Sequence, residues 1–137
     1  MERDEALARL ARSPVARLGT ITADKRPHIV PVTFAVVDES VLTMIDQKPK
    51  STRALKRLSN LRHDSRATLI ADHYEDDWSR LWWVRVDGEA TIHPGGEIWE
   101  TARRELAAKY RQYHLAPPEG PAIALVIERL SFWASTP

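Results

Sequence analysis

The sequence of 137 residues contains no cysteine, so it cannot form a disulfide, a thiolate metal site or a cysteine nucleophile. It has only five glycines, and none is spaced as in a dinucleotide-binding GxGxxG motif or a GxxxxGK[ST] phosphate loop. A GxSxG nucleophile elbow is also absent, and the five histidines show no HExxH spacing. The familiar motifs for ester hydrolysis, P-loop phosphate binding and metal catalysis are therefore missing.

Excess charge and long apolar runs are missing as well. The net charge is only +1, too small for a general nucleic-acid coat. No apolar run approaches the roughly 18 residues that cross a membrane, and the charged N-terminal stretch is unlike a signal peptide. The 43% hydrophobic composition and the length favour one globular domain spanning residues 1–137. We expect a cytoplasmic protein that binds neither nucleic acid nor a membrane.

Hydrophobic periodicity predicts an α+β, mainly β protein. Apolar residues at helical spacing indicate helices over residues 2–12, from Ser51 or Thr52 onward, and over 97–114. Alternating or β-branched stretches indicate strands over residues 15–22, 28–37, 41–46, 66–73, 81–93, 122–128 and 130–135. Antiparallel strands with segregated helices favour an α+β fold or a small barrel.

Pro31 lies inside the second predicted strand. A proline cannot donate a ladder hydrogen bond, so this position must be an edge, a bulge or a place where something other than a strand approaches. An ordinary edge position explains the proline at least as well as a ligand does.

Most of the basic side chains of residues 46–64 gather where a strand ends and a helix begins. The cations of this stretch are Lys48, Lys50, Arg53, Lys56, Arg57 and Arg62. Free N–H groups and the dipole at a helix N-terminus bind anions. The Ser51 and Thr52 hydroxyls add hydrogen-bond donors, and Arg53 can bind a phosphate with two hydrogen bonds, so this helix start is a candidate phosphate site. The alternative is a solvated basic helix face, to which Lys56, Arg57 and Arg62 would partly belong.

Three tryptophans, Trp78, Trp82 and Trp83, fall within six residues. Trp82 and Trp83 are adjacent in a predicted strand, so their side chains point to opposite faces. One can fill the core, whereas the outward one needs a subunit interface or a flat ligand. The acids at residues 75–77 oppose a nucleic-acid backbone beside Trp78.

Four segments together resemble a known family. RPHIVPVTFAV (26–36), VLTMID (41–46), KPKSTRALKRLSNL (48–61) and DHYEDDWSRLWWVRVDG (72–88) are similar to the split β-barrel flavin/deazaflavin oxidoreductases, the pyridoxamine-phosphate-oxidase-like proteins. The WSRLWWVR segment resembles most closely the branch that uses coenzyme F420. The resemblance implies a six-stranded antiparallel split barrel (the FMN-binding split barrel) with peripheral helices, and a homodimer with two cofactor sites at the subunit interface.

The resemblance also implies roles for individual residues. Pro31, Val32 and Thr33 would run beside the tricyclic ring of the cofactor, on a strand whose neighbour contributes the floor of the pocket. The implied floor residues are Thr43, Met44, Ile45 and Asp46. The implied phosphate ligands are Lys48, Lys50, Ser51, Thr52 and Arg53, with Lys56 as a weaker candidate. Trp78, Trp82 or Trp83 would close the ring pocket from the other subunit.

The chemistry that the resemblance implies belongs to the cofactor, since reduced deazaflavin donates a hydride to a small organic acceptor. No catalytic side chain is required, and no metal site is expected. Two alternatives stay open: an FMN-dependent oxidase or flavin reductase of the same fold, and a non-catalytic protein that binds F420, FMN or haem.

Overall fold

The computed structural model describes residues 1–46 and 52–136, with side chains described from residue 56 onward in the second range. Within these ranges the helices are α1 Arg3–Arg12, α2 Thr52–His63, α3 Glu97–Lys109 and α4 Arg111–Leu115, and a 3₁₀ turn spans Trp78–Arg80. The strands are β1 Ala16–Ile21, β2 Pro27–Val32, β3 Ala35–Val37, β4 Ser40–Met44, β5 Arg66–His73, β6 Trp82–His93, β7 Ala122–Val126 and β8 Arg129–Ala134. No helix of the described chain is both long and apolar enough to cross a membrane.

All the strand pairs are antiparallel, and the order is β2-β1-β5-β6-β7-β4-β3, with β8 also paired to β6. The long β6 pairs with β5 and β8 through its first half, and with β7 over residues 90–93. It changes partners at Gly88, where a Cβ atom would lie 1.8 Å from the carbonyl oxygen of Val126. Only glycine allows this approach, so one strand can serve both halves of the split barrel.

Two segments were each predicted to form a single element, and both predictions were wrong. The strand expected over residues 28–37 divides into β2 and β3, because the backbone of Phe34 bonds side chains of α3 and its C-terminal cap instead of a neighbouring strand. The helix expected over residues 97–114 divides at Tyr110, whose extended backbone (φ −111°, ψ 122°) ends α3 before α4 begins. The other predicted strands and helices are confirmed to within a few residues.

The core has two parts. The larger lies inside the barrel, where Leu18, Phe34 and Val84 meet, and it is closed by Leu10 of α1 and Leu58 of α2. The smaller lies under α3 and contains Ala35, Leu42, Met44, Ala102, Leu106, Ala122 and Ala124.

The strands β2, β1, β5, β6 and β8 have one face that points away from the barrel. It carries the residues that alternate along each strand with those of the barrel core. Along β1, Ala16 and Leu18 are buried, whereas Arg17 points away from the barrel. Arg17 is in register with Pro31 on one side and Ile70 on the other. We call this surface the outer face.

Candidate functional site

Phe34, between β2 and β3, has its backbone held by side chains from the end of α3. Its N–H donates to the Tyr110 hydroxyl at 3.1 Å, and its carbonyl accepts from Lys109 Nζ at 2.9 Å. The ammonium of Lys109 also lies 3.8 Å from the centroid of the Phe34 ring, within the range of a cation–π interaction. The Tyr110 hydroxyl in turn donates to the carbonyl of Pro14 at 2.9 Å, which ties the end of α1 to the same point.

Thr33 joins this arrangement to the end of β4. Thr43 donates its hydroxyl to the Thr33 carbonyl at 2.6 Å, and the Thr33 hydroxyl lies 3.0 Å from the Tyr113 hydroxyl. Tyr113 also hydrogen-bonds the Asp46 carboxylate. We call these residues the strand-break cluster: Thr33, Phe34, Thr43, Asp46, Lys109, Tyr110 and Tyr113.

The environment of the cluster changes the acidity of three of its groups, and burial raises the pKa of one of them, Tyr110. Burial lowers the pKa of Lys109 to about 8. Burial also raises the pKa of Tyr113 to about 12, and its hydrogen bond to the Asp46 carboxylate acts in the same direction. Near neutral pH the tyrosine is therefore a neutral hydrogen-bond donor, and Lys109 is predominantly a cation.

Arg57, one turn into α2, is half-buried rather than part of a solvated face. Its Nε atom is buried and has no hydrogen-bond partner in the described chain. Burial lowers the pKa of the guanidinium, and the charge of Asp46 opposes this. Arg57 therefore feels the charge of Asp46, which follows β4 at the strand end where the sequence indicates an anion site. Lys56 and Arg62, on the same helix, are exposed.

Some of the expected phosphate ligands fall on residues whose structure is not described. Lys48, Lys50 and Ser51 lie outside the described residues, as do the side chains of Thr52 and Arg53. The backbone of α2 does begin at Thr52, which agrees with the expected helix start. The phosphate assignment of these five residues stays a prediction.

The residues expected to flank the ring have different surroundings. Val32, Met44 and Ile45 are buried in the hydrophobic core, so a ligand could reach only their backbone. Thr43 is also buried and uses its hydroxyl within the strand-break cluster. Pro31 is exposed on β2, which is an edge strand of the described sheet.

The tryptophans separate as predicted. Trp82 packs against the barrel core beneath the guanidinium of Arg9, 5.6 Å from the ring centroid. Trp83 lies on the outer face beneath Arg85, at 5.7 Å, and pairs across the strands with Trp133. Trp78, on the 3₁₀ turn, is 75% exposed. The structure thus brings Pro31 and Trp83 to the outer face and directs Trp82 elsewhere.

Two adjoining cavities open on the outer face. The larger, of about 660 Å³, has mostly apolar walls that include Ile21 and Ile29. The smaller, of about 480 Å³, is lined by Arg17, Ile70, Asp72, Tyr74, Trp83 and Arg85. The two share Arg17 and Ile70. Both are large enough for part of a flat cofactor or for side chains of another protein.

Sequence reasoning missed the importance of Lys109, Tyr110 and Tyr113. The helical periodicity placed Tyr110 on an apolar stripe, which is correct for its ring but leaves its hydroxyl unexplained. A buried tyrosine hydroxyl needs a partner, and that requirement is the one available signal that polar backbone lies beside α3.

Comparisons with known proteins agree with this architecture. A conserved hypothetical protein from Mycobacterium tuberculosis superposes with a TM-score of 0.79 at 22% identity, covering 98% of this chain and 86% of that one. A FAD-binding protein from Mesorhizobium loti gives 0.71 at 19%, covering 96% and 92%. HutZ, the haem storage protein of Vibrio cholerae, gives 0.70 at 15%, covering 97% and 95%. At these identities the likeness concerns the fold alone.

A search of curated proteins finds no match. The model of the pyridoxamine 5'-phosphate oxidase family, in contrast, matches residues 3–134 and so includes every helix and strand described above. An antiparallel barrel divided along β6, with helices at its periphery, is the architecture that the resemblance implied, although the described chain forms eight strands and not six. The chain therefore belongs to the pyridoxamine 5'-phosphate oxidase family and has its split-barrel fold.

Proposed function

We propose that this protein is an F420-dependent oxidoreductase that transfers a hydride between reduced deazaflavin and a small organic acceptor. The observation that carries the proposal is Arg57, a half-buried cation with a buried N–H donor that has no partner in the described chain. An unsatisfied buried donor is unfavourable, and a phosphate oxygen would satisfy it with a charge-assisted bond. Arg57 follows the cation-rich start of α2, so the residues present fit an anionic cofactor.

Neighbouring proteins of similar fold support a large planar cofactor, because one is described as FAD-binding and another as a haem storage protein. F420 is favoured here by the resemblance of residues 72–88 to the deazaflavin branch. F420 also carries an oligoglutamate tail. Protein cations beyond the phosphate site would therefore strengthen its binding. The exposed Lys56 and Arg62 are available on α2 for that tail, whereas FMN has no such extension.

When bound, the deazaflavin supplies hydride transfer at a ring carbon. The chain's own contribution is to hold and orient the ring. The backbone of residues 31–33 offers polar groups at an edge strand, and the hydrogen bonds of Thr33 to Thr43 and Tyr113 fix the end of that strand. The phosphate would be bound by Arg57 together with Lys48, Lys50, Ser51, Thr52 and Arg53.

The proposed assembly is a homodimer of this single domain, joined through the outer face. Ile29 is 67% exposed and Trp133 is 42% exposed on this surface, which is unfavourable for a free monomer. The same face carries cations and anions, namely Arg17, Arg85, Asp72 and Asp87. These charges already pair within the chain, Arg17 with Asp72 at 3.7 Å and Arg85 with Asp87 at 3.3 Å. A second copy related by a two-fold axis would therefore cover the face without leaving an unpaired charge, and the cavities of the face would lie at the interface.

Cofactor titration tests the proposal. Purified protein is titrated with F420, FMN, FAD and haemin while intrinsic tryptophan fluorescence is followed. We expect F420 to bind most tightly, and turnover of reduced F420 with candidate acceptors then separates an enzyme from a carrier. Tighter binding of FMN, FAD or haemin, or binding of none of the four, would overturn the assignment.

Variants on α2 test the phosphate site. We expect Arg57→Gln to weaken F420 binding at least about tenfold, since one charge-assisted hydrogen bond contributes about 1.5–3 kcal/mol. Arg104→Gln removes an exposed arginine of α3, which lies outside the proposed site, and is the matched control. The double variant Lys50→Ala, Arg53→Ala should also lose at least about tenfold. If Arg57→Gln and Arg104→Gln bind F420 equally well, Arg57 is not a ligand.

The interface is tested separately by light scattering. Ile29→Asp places a charge on the outer face and should convert the dimer to a monomer. Leu115→Asp changes a side chain that is 91% exposed on α4 and should leave the dimer intact. A monomeric wild-type protein, or a dimer that survives Ile29→Asp, would contradict this arrangement.

A further inference from the structure

A third cavity, of about 510 Å³, lies where α1, the 3₁₀ turn, the start of β6 and the end of β8 meet. Its volume is in the range of small-molecule pockets. It shares no lining residue with the two cavities of the outer face. We call it the arginine pocket, and its lining is Arg9, Arg12, His73, Ser79, Arg80, Leu81, Trp82, Ala134 and Thr136.

The apolar lining residues of the arginine pocket are Leu81, Trp82 and Ala134, and their positions are well held. Leu81 is only 7% exposed, and Trp82 packs against the barrel core. Both the backbone N–H and the hydroxyl of Ser135 donate to the Leu81 carbonyl, at 3.0 and 3.1 Å. Thr136 donates its hydroxyl to the Ser79 carbonyl at 2.6 Å. These bonds tie the end of β8 to the turn before β6, so the cavity is bounded by fixed backbone.

The walls of the arginine pocket are cationic. Three guanidinium groups line it, and no carboxylate does so among the described residues. Arg9 pairs with Glu5 at 2.7 Å, and Arg80 lies 3.7 Å from Glu75, which also pairs with His73. Arg12 has no ion pair in the described chain. The charge of Asp77 also acts on Arg80, so Arg12 is the arginine of the pocket whose charge has no carboxylate partner within the described residues.

We propose that the arginine pocket binds an aromatic carboxylate. The carboxylate would pair with Arg12 and with the free edges of Arg9 and Arg80, because a guanidinium presents donors in the geometry of a carboxylate. The aromatic body would lie against Leu81, Ala134 and the uncovered part of the Trp82 ring. This site is separate from the proposed phosphate site on α2 and does not depend on the identity of the cofactor.

A simpler role exists for two of the arginines. Arg9 and Arg12 lie in the last turn of α1, where cations interact favourably with the helix dipole. That role does not account for Arg80, which comes from a different element, nor for the apolar residues Leu81, Trp82 and Ala134 that line the same cavity. It also makes a different prediction, since a purely structural Arg12 would affect unfolding and leave ligand binding unchanged.

Ligand binding to the arginine pocket is tested with 2-naphthoate, followed by calorimetry and by the indole N–H signals of ¹⁵N-labelled protein. We expect a dissociation constant in the millimolar range or tighter, and a shifted indole signal that the Trp82→Phe variant identifies by its loss. Arg12→Gln should weaken binding at least about fivefold, and Arg9→Gln with Arg12→Gln at least about tenfold. Arg12→Lys, which keeps the charge but not the planar fork, should recover only part of the affinity.

Two controls separate this site from general attraction. Arg104→Gln removes an exposed arginine of α3 that lies 3.8 Å from Glu105, and it should leave the affinity for naphthoate unchanged. The uncharged 2-naphthalenemethanol should bind at least about tenfold more weakly than naphthoate. The proposal is refuted if naphthoate and the alcohol bind equally well, or if Arg12→Gln and Arg104→Gln have the same affinity for naphthoate. It is also refuted if naphthoate does not bind at millimolar concentration. F420 affinity should be the same in Arg12→Gln as in the wild type, so the two proposed sites fail or hold independently.

Discussion

The Tyr110 hydroxyl offers a direct test of what divides β2 from β3. Tyr110→Phe removes one oxygen and keeps the ring, which packs edge-on against Tyr113 at 5.7 Å between centroids. The change leaves the N–H of Phe34 without its partner at a residue that is fully buried. The Phe34 carbonyl keeps its bond from Lys109. The Pro14 carbonyl also loses its bond from Tyr110, but Pro14 is exposed and water can replace that bond. The one buried group left unsatisfied is therefore the Phe34 N–H.

The expected magnitude follows from that single donor. Leaving a buried donor unsatisfied costs about 1–3 kcal/mol, so we expect Tyr110→Phe to lower the free energy of unfolding by about 2 kcal/mol. For a domain of this length, that corresponds to a fall in Tm of about 5–8 °C. Tyr113→Phe should cost only about 1 kcal/mol, because its partners are the exposed Asp46 and the partly exposed Thr33 hydroxyl, where water can replace the lost bonds.

Urea unfolding followed by circular dichroism measures both values, provided that the m-value stays constant. Tyr74→Phe, at a side chain that is 63% exposed, should change the free energy of unfolding by less than about 0.5 kcal/mol and is the control. If Tyr110→Phe is no more destabilising than the control, the strand break is set by the local backbone and the hydroxyl is incidental.

Three further predictions concern other points of the fold. Gly88→Ala should destabilise by at least about 1–3 kcal/mol because its Cβ would meet the Val126 carbonyl oxygen, whereas Gly95→Ala, with no atom within 4 Å, should be nearly neutral in thermal unfolding. The pKa of Lys109 is about 8 in the folded chain against an ordinary 10.5, so the unfolded chain binds more protons between these values. Stability should therefore rise from pH 8 to pH 10, and Lys109→Met should lack this rise in pH-dependent denaturation. Asn60→Ala should cost about 1–3 kcal/mol in urea unfolding, because a buried amide that donates to the Thr20 hydroxyl at 3.1 Å is lost and its partner is left unpaired.

Much of the fold was predictable because it rests on local pattern. Alternation along residues 66–73 predicted β5 residue for residue, and adjacency alone placed Trp82 and Trp83 on opposite faces. The division of β2 from β3 was not predictable, because it depends on Lys109 and Tyr110, some 75 residues further along the chain. In the same way, nothing in the apolar stretch after residue 121 indicated that β8 pairs with β6 and not with β7.

The candidate site was predictable in part, for a similar reason. A helix start after β4 with clustered cations can be recognised from sequence, and α2 begins where that pattern indicates. The half-buried position of Arg57 could not be recognised, because burial depends on how α2 packs against the barrel. The arginine pocket draws on α1, β5, β6, β8 and the 3₁₀ turn, so no local pattern could predict it.

The shared strand β6 has a consequence for how the molecule comes apart. Because its two halves belong to different sets of partners, neither half of the barrel can open without loosening a strand that the other half needs. The two halves should therefore behave as one cooperative unit and not as separate foldons, although the core is divided into two clusters. Amide protons on both sides of Gly88 should then exchange with solvent water only through global unfolding, at a common and slowest rate.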